Sequence, residues 1–206
     1  MHKNNIIGWV GLGVMGEPMC GHLLDAGYQL AIYSRTKKKA SRLIDAGARW
    51  CDSPSVLAKQ CDVIFTMVGT GDEVREVYSS DSGLFQVDIT GKVFIDMGTT
   101  APALTAEITA YADEHGAACI DAPVSGGDVG ARNATLSIMA GGQAAVIDEV
   151  KPLFDCLGNV QHMGDEGSGQ HTKMCNQITV AGTMIGVCEA LVYAQRAGLA
   201  VSYTHL

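Results

Sequence analysis

Short apolar runs alternate with amphipathic stretches along most of the chain. The runs fall at Ile6–Gly11, Leu30–Ser34, Val63–Met67, Val93–Met97, Cys119–Asp121, Thr135–Ala140 and Val160–Met163. They are brief and bounded by turn residues, which predicts strands. Between them the pattern predicts helices near 15–27, 37–46, 54–60, 72–79, 102–115 and 143–154. Ser53-Pro54 has the form of an N-cap followed by proline at the first helical position. Such alternation builds an α/β fold, a doubly wound and mostly parallel sheet with helices on both faces.

The character changes at Gly164. Gly164 to Gly169 is rich in turn residues, and Gln170 to Ala197 then runs without proline. A helix of roughly 28 residues is ~42 Å long. Its apolar residues, among them Ile178, Val180, Met184, Ile185, Val187, Leu191 and Val192, fall on several faces. A helix apolar all round expects partners on all sides. The expected division is therefore a domain over 1–164, followed over 165–206 by a long interdomain helix that begins an incomplete all-α domain. The missing cover implies a truncated chain or burial by another subunit.

Composition narrows the classes. The chain has 206 residues, with 14 basic and 22 acidic side chains, for a net charge of −8. That balance repels phosphate backbones and anionic membranes, so no nucleic-acid partner is expected. The longest uncharged stretch, Met174 to Cys188, is shorter than the ~18 residues of a membrane span. Met1 to Asn5 leads into only a few apolar residues before a glycine, unlike a signal peptide. Seven scattered cysteines without a CxxC read as reduced thiols, and so as a cytoplasmic protein. His171 and Cys175 are one helical turn apart, but two ligands do not make a zinc site. The 25 glycines exceed the usual ~7% without any repeat, which points to specific backbone tasks.

Gly11-Leu12-Gly13-Val14-Met15-Gly16 is one such task. GxGxxG directly after a strand and opening a helix is the dinucleotide fingerprint of a Rossmann-like domain. The glycines permit a tight turn and close approach of a pyrophosphate, which the free N–H groups of the helix start attract. The second strand ends at Ser34-Arg35-Thr36. An NAD site has a carboxylate there for the ribose 2′-hydroxyl, and an NADP site has an arginine. No carboxylate occurs between Asp25 and Asp45, whereas Arg35 is followed by Lys37, Lys38 and Lys39. A 2′-phosphate forked by Arg35 would suit this cluster, so NADP is favoured over NAD. The alternative is a solvated basic turn.

Two further segments carry chemistry. Asp121-Ala122-Pro123-Val124-Ser125-Gly126-Gly127 ends a strand in a stiff turn and two glycines. Its amides and the Ser125 hydroxyl suit a substrate carboxylate, and a purely structural turn fits equally well. In Gly167–Gln177, Lys173, Asn176 and Gln177 share one helix face at spacing i, i+3, i+4. A lysine among apolar neighbours has a depressed pKa suited to proton transfer. On spacing alone a surface lysine is the commoner arrangement.

Taken together, these segments resemble the β-hydroxyacid dehydrogenase family, which includes 3-hydroxyisobutyrate dehydrogenase and tartronate semialdehyde (2-hydroxy-3-oxopropionate) reductase. Gly11 to Met19 matches its GLGxMGxxM pattern, Asp121 to Gly127 its DAPVSGG segment, and Gly167 to Gln177 its GxGxxxKxxNQ/N segment. The resemblance implies Lys173 as general acid/base and Asn176 as the residue orienting substrate. It implies Ser125, Gly126 and Gly127 as the substrate-carboxylate loop. Leu12, Val14, Met15, Met67, Val68 and Thr99 fall at its cofactor positions, and Arg35 at its NADP-preferring arginine. The implied reaction is hydride transfer between NADP(H), with NAD possible, and a small carboxylate-bearing β-hydroxy acid or semialdehyde, without a metal.

The chain departs from that family in places. Gly98 stands where many relatives have Ser, Ala134 where they have glycine, and Gln177 where some branches have Asn. Members continue for roughly another half of this chain into an all-helical domain that completes the subunit interface. A homo-oligomer is implied, and Val201 to Leu206 does not resemble the family's continuation. The competing readings are a non-catalytic dinucleotide-binding fragment or another reductase of the superfamily. A 6-phosphogluconate dehydrogenase would have His-Asn where Cys175-Asn176 stands, and imine reductases generally lack the lysine.

Overall fold

A computed structural model describes residues 5–200. The terminal segment Val201 to Leu206 therefore lies outside the described residues, as do Met1 to Asn4. Among the described residues, nine strands form a single sheet. They are β1 (Ile6–Val10), β2 (Gln29–Tyr33), β3 (Arg49–Trp50), β4 (Val63–Thr66), β5 (Val93–Asp96), β6 (Ala118–Asp121), β7 (Val124–Ser125), β8 (Leu136–Gly141) and β9 (Gly158–Gly164). The helices are α1 (Gly16–Asp25), α2 (Ser41–Asp45), α3 (Pro54–Ala58), α4 (Gly71–Ser79), α5 (Pro102–Glu114), α6 (Gly127–Asn133), α7 (Ala144–Phe154) and α8 (Ser168–Arg196).

From β3 through β2, β1, β4, β5 and β6 the strands are parallel. Strand order reverses between β1 and β4, the crevice where open α/β sheets bind ligands. Beyond β6 the sheet is mixed. β8 runs antiparallel to β6 and β7 and parallel to β9. Alternate side chains of the central strands feed two cores. Ile7 and Trp9 of β1 and Val63 and Phe65 of β4 enter one, and Val10 and Ile64 enter the other. Trp9 stacks on Phe65 at 5.1 Å, and burying such rings dominates the hydrophobic stabilisation.

The seven expected strands and the expected helices are present, with ends shifted by up to two residues. Ser53 caps α3 by accepting from the Val56 amide at 3.2 Å. The helix expected over 37–46 is a 3-10 turn, Lys37–Ala40, followed by the short α2. β3 and β7, of two residues each, were not expected, because two residues carry no period. α6 is also unexpected: the two glycines read as a turn lead into a helix.

α6 ends at Ala134, held at φ 54°, ψ 39°. It is the one non-glycine residue with positive φ among the described residues. A Cβ crowds the backbone there, which explains the family's glycine. Ala134→Gly is expected to raise stability by about 1 kcal/mol and the melting temperature by roughly 2–4 °C. An unchanged or lower melting temperature in a thermal scan would show that Ala134 is not strained.

α8 starts two residues earlier than expected. Its first turns pack on β8 and β9, and beyond Gln177 nearly every residue is exposed. Ile178, Met184, Ile185 and Tyr193 are all more than half exposed. Although its uncharged run is short, the whole helix is long and apolar enough to cross a membrane by length and composition.

Candidate active site

The loops that follow β1, β4, β5 and β6 gather at the carboxyl edge of the sheet. The first is Gly11 to Met15. Gly11 donates to Tyr33 O at 2.9 Å, tying the loop to the end of β2. Its φ is +100°, and a Cβ there would lie 2.2 Å from Met67 O. Only glycine therefore lets the β1 and β4 loops pass so closely. The Trp9 indole N–H donates to Gly11 O at 3.0 Å and holds the turn from beneath. At Gly13 a Cβ would meet nothing within 4 Å. This exposed position is where a pyrophosphate would approach the backbone.

Beside this loop lies a cleft of about 240 Å³. Gly11, Leu12, Gly13, Ser34, Arg35, Thr36, Met67 and Val68, all expected at the cofactor, line it. The other expected cofactor residues lie around it. Val14 is exposed over a neighbouring depression that Lys39 and Arg132 also line. Met15 packs on the core, Gly16 is buried at the start of α1, and Thr99 is exposed on the β5 loop. The cradle and the cleft fit a dinucleotide. Arg35 does not point freely into solvent, because its Nη2 is ion-paired with Glu73 Oε1.

The second half of the site is the docked start of α8. Asp121, at the end of β6, accepts from the Gly167 amide through Oδ1 at 2.7 Å and from the Gln170 amide through Oδ2 at 2.7 Å. It thus caps two of the free N–H groups of the helix. Burial pushes its carboxyl up to about 6, against the pull of those amides. The helix approaches so closely that a Cβ on Gly169 would lie 2.3 Å from Met139 O and 2.5 Å from Asp121 O. Gln170 is fully buried. Its Nε2 donates to Gly98 O at 2.9 Å and its Oε1 accepts from the Thr100 amide at 3.0 Å. Under that loop, Asp96 accepts from Thr66 at 3.0 Å and from Thr100 at 2.5 Å. Gly98 also explains the lost family serine: a Cβ there would lie 3.0 Å from Val68 O.

One turn further along α8, Lys173 is 8% exposed. Its Nζ donates to Val124 O at 2.8 Å, which places the ammonium beside the Ser125–Gly127 loop. Desolvation lowers its pKa below the ordinary lysine value. Asn176 Oδ1 is buried and has no hydrogen-bond partner among the described residues. Such an orphaned acceptor marks a place for a ligand donor. Gln177, expected on the same face, is exposed. Ser125 is half-buried, and Gly126 and Gly127 are exposed with φ of +130° and +61°. The structure sets Lys173 beside the Ser125 loop and Asn176 one turn further along α8, and sequence reasoning missed the residues that hold this end of the helix, Asp121, Gln170 and Asp96. It also missed Glu73. Thr70-x-x-Glu73 has the form of a capping box, a signal that could have set Glu73 at the mouth of the cleft.

The profile for the NAD binding domain of 6-phosphogluconate dehydrogenase matches residues 6–176. The profile for the NAD-binding region of NADP-dependent 3-hydroxyisobutyrate dehydrogenase matches residues 167–204. The chain is 49% identical over 200 residues to a probable 3-hydroxyisobutyrate dehydrogenase-like protein of Arabidopsis thaliana, with 97% of this chain and 60% of that protein covered. It is 40% identical over 193 residues to the 2-hydroxy-3-oxopropionate reductase of Escherichia coli, covering 93% of this chain and 66% of that one. Among solved structures, Mycobacterium tuberculosis 3-hydroxyisobutyrate dehydrogenase with L-serine matches at a TM-score of 0.87 and 34% identity, over 96% of this chain and 67% of that one. The chain thus spans about two thirds or less of the length of these relatives.

Proposed function

The chain belongs to the β-hydroxyacid dehydrogenase family, and on that premise we propose that it is the nucleotide-binding and catalytic-lysine portion of an NADP(H)-preferring oxidoreductase. The substrate is a small carboxylate-bearing β-hydroxy acid or its semialdehyde, of the size of 3-hydroxyisobutyrate or tartronate semialdehyde. The observation that carries this reading is the pairing on one face of α8 of buried Lys173 with the orphaned Asn176 Oδ1, beside the Ser125 loop. A binding module has no use for a desolvated ammonium at that place.

A nicotinamide bound along the cleft supplies the hydride donor or acceptor. Lys173 holds the proton that balances the charge at the substrate oxygen. It gives that proton in the direction of reduction and takes the hydroxyl proton in the direction of oxidation. A pKa lowered by desolvation brings the ammonium nearer the working range for both. Asn176, whose buried Oδ1 is open to a hydrogen-bond donor, orients the substrate. Ser125 and the amides of Gly126 and Gly127 hold the carboxylate, and Arg35 meets the 2′-phosphate. Scattered thiols support a reducing compartment, the cytoplasm, and the exposed apolar length of α8 supports assembly with further copies.

Fluorescence titration with NADPH and NADH tests the cofactor half. Tight NADPH binding and weaker NADH binding are expected. Arg35→Ala is expected to weaken NADPH by roughly 10–100-fold, the value of charge-assisted bonds to a phosphate, and to leave NADH within about twofold. Binding of neither nucleotide by a chain with a cooperative melt would overturn the reading. Oxidation of 3-hydroxyisobutyrate and reduction of tartronate semialdehyde, followed at the nicotinamide absorbance, test the substrate class.

A further inference from the structure

No carboxylate follows β2, yet the fold brings one to that place from α4. We infer that Glu73 is a specificity-determining residue of the nucleotide cleft. Its carboxylate competes with a cofactor 2′-phosphate for the Arg35 guanidinium and so sets the ratio of NADPH to NADH affinity. The inference rests on the proposed role of Arg35.

The two partners of this ion pair are unlike. The Arg35 side chain is 66% exposed and the Glu73 side chain 25%. Glu73 is fixed by its own helix. Its amide donates to Thr70 Oγ1 at 3.3 Å, and its Oε2 accepts from the Gly69 amide at 2.8 Å, leaving Oε1 for Arg35. These bonds form a capping arrangement at the start of α4, where the helix dipole also favours an anion. The Gly69 amide, and after it Arg35, hold the carboxyl below its ordinary range, so it is ionised at neutral pH. Glu73 is therefore a stationary negative charge, and Arg35 is the arm that can leave it.

Both residues line the cleft, together with Lys39 and a second carboxylate, Glu76. A 2′-phosphate that recruits Arg35 must either part the Arg35–Glu73 pair or share the guanidinium with it, and in both cases rests near a fixed anion that repels it. A ribose 2′-hydroxyl carries no charge and meets neither cost. Part of what Arg35 contributes to NADPH is thus cancelled by Glu73, and the cleft accepts both nucleotides more evenly than its basic cluster suggests.

The test is titration of NADPH and NADH against the full chain and its Glu73→Gln, Arg35→Ala and doubly substituted variants. Glutamine keeps the capping geometry without the charge, and circular dichroism melts confirm folding. Glu73→Gln is expected to raise the NADPH-to-NADH affinity ratio by roughly two- to fivefold, on the scale of an exposed ion pair, and that gain is expected to shrink once Arg35 is removed, when only direct repulsion by Glu73 is left to relieve. An unchanged ratio in Glu73→Gln, with Arg35→Ala still weakening NADPH alone, overturns the inference and leaves the Arg35 reading intact. The same gain with and without Arg35 overturns competition between the two anions. No effect of Arg35→Ala in either background overturns the Arg35 reading and the inference with it. Glu73→Asp, charged but too short to span both bonds, provides a second variant should glutamine unfold the cap; it is expected to free Arg35 and raise the ratio by a smaller factor.

Discussion

Lys173→Ala is expected to lower turnover by roughly 10²–10⁴-fold, the usual worth of a positioned proton donor, while NADPH affinity stays within about twofold. The split follows from the placement of Lys173. Its Nζ bonds Val124 O beside the substrate loop and does not line the nucleotide cleft. A comparable loss of cofactor affinity would mean that the substitution disturbs the fold and that the turnover result carries no mechanistic weight. Lys173 also predicts a pH dependence. Its folded-state pKa is lowered by burial, so between that value and the ~10.4 of an unfolded lysine the unfolded chain binds more protons. Stability then rises with pH across the interval, and the cost of burying the charge is fully present below it. Lys173→Met abolishes this contribution. The stability of wild type relative to Lys173→Met should therefore increase as pH rises through the alkaline range, measured by urea unfolding at several pH values. A difference that stays constant would show that the ammonium is not desolvated.

Gly169→Ala should have a large structural effect for a single methyl group. The added carbon would lie 2.3 Å from one backbone oxygen and 2.5 Å from another, and backbone cannot turn aside as a side chain does. The helix must rise from the sheet or the strands must part. Moving it also strains the Asp121 cap and both Gln170 bonds. A loss of about 3 kcal/mol or more is expected, near 10 °C in melting temperature for a chain of this size. Turnover should fall as well, because Lys173 rides on the same helix. A melting temperature within about 2 °C of wild type would show that α8 docks more loosely than described. Gly182→Ala is the control, since a Cβ there meets nothing within 4 Å and alanine suits a helix better than glycine.

The parts legible in the sequence are those written in contiguous residues. Apolar period located the seven longer strands, the fingerprint located the phosphate loop, and i, i+3 spacing brought Lys173 and Asn176 to one face. Parallel runs also concealed what they could not express. The antiparallel pairing of β8 with β7 rests on two residue pairs, too few to leave a pattern. Gln170 reads as an ordinary polar residue at a helix start, and only its fully buried position shows that it bridges 72 residues back to Gly98. The pairing of Glu73 with Arg35 was invisible for the same reason, although the local capping signal at Thr70 was not. The search for a carboxylate followed the chain from β2, whereas the fold supplied one 38 residues away from Arg35. Long-range polar contacts have no period, and the sequence carries them only as isolated letters.

Asp121 joins segments 46 residues apart, with the close approach at Gly169 beside it. Consider a library of random variants sorted only by activity. Positions 121, 167, 169 and 170 would form a block as intolerant as position 173, although these residues serve to dock the helix. Sorted by abundance instead, the block would separate, with the docking positions depleted and the Lys173 variants retained. Intolerance at this end of the sheet thus reports anchorage as strongly as chemistry, and two readouts are required to tell one from the other.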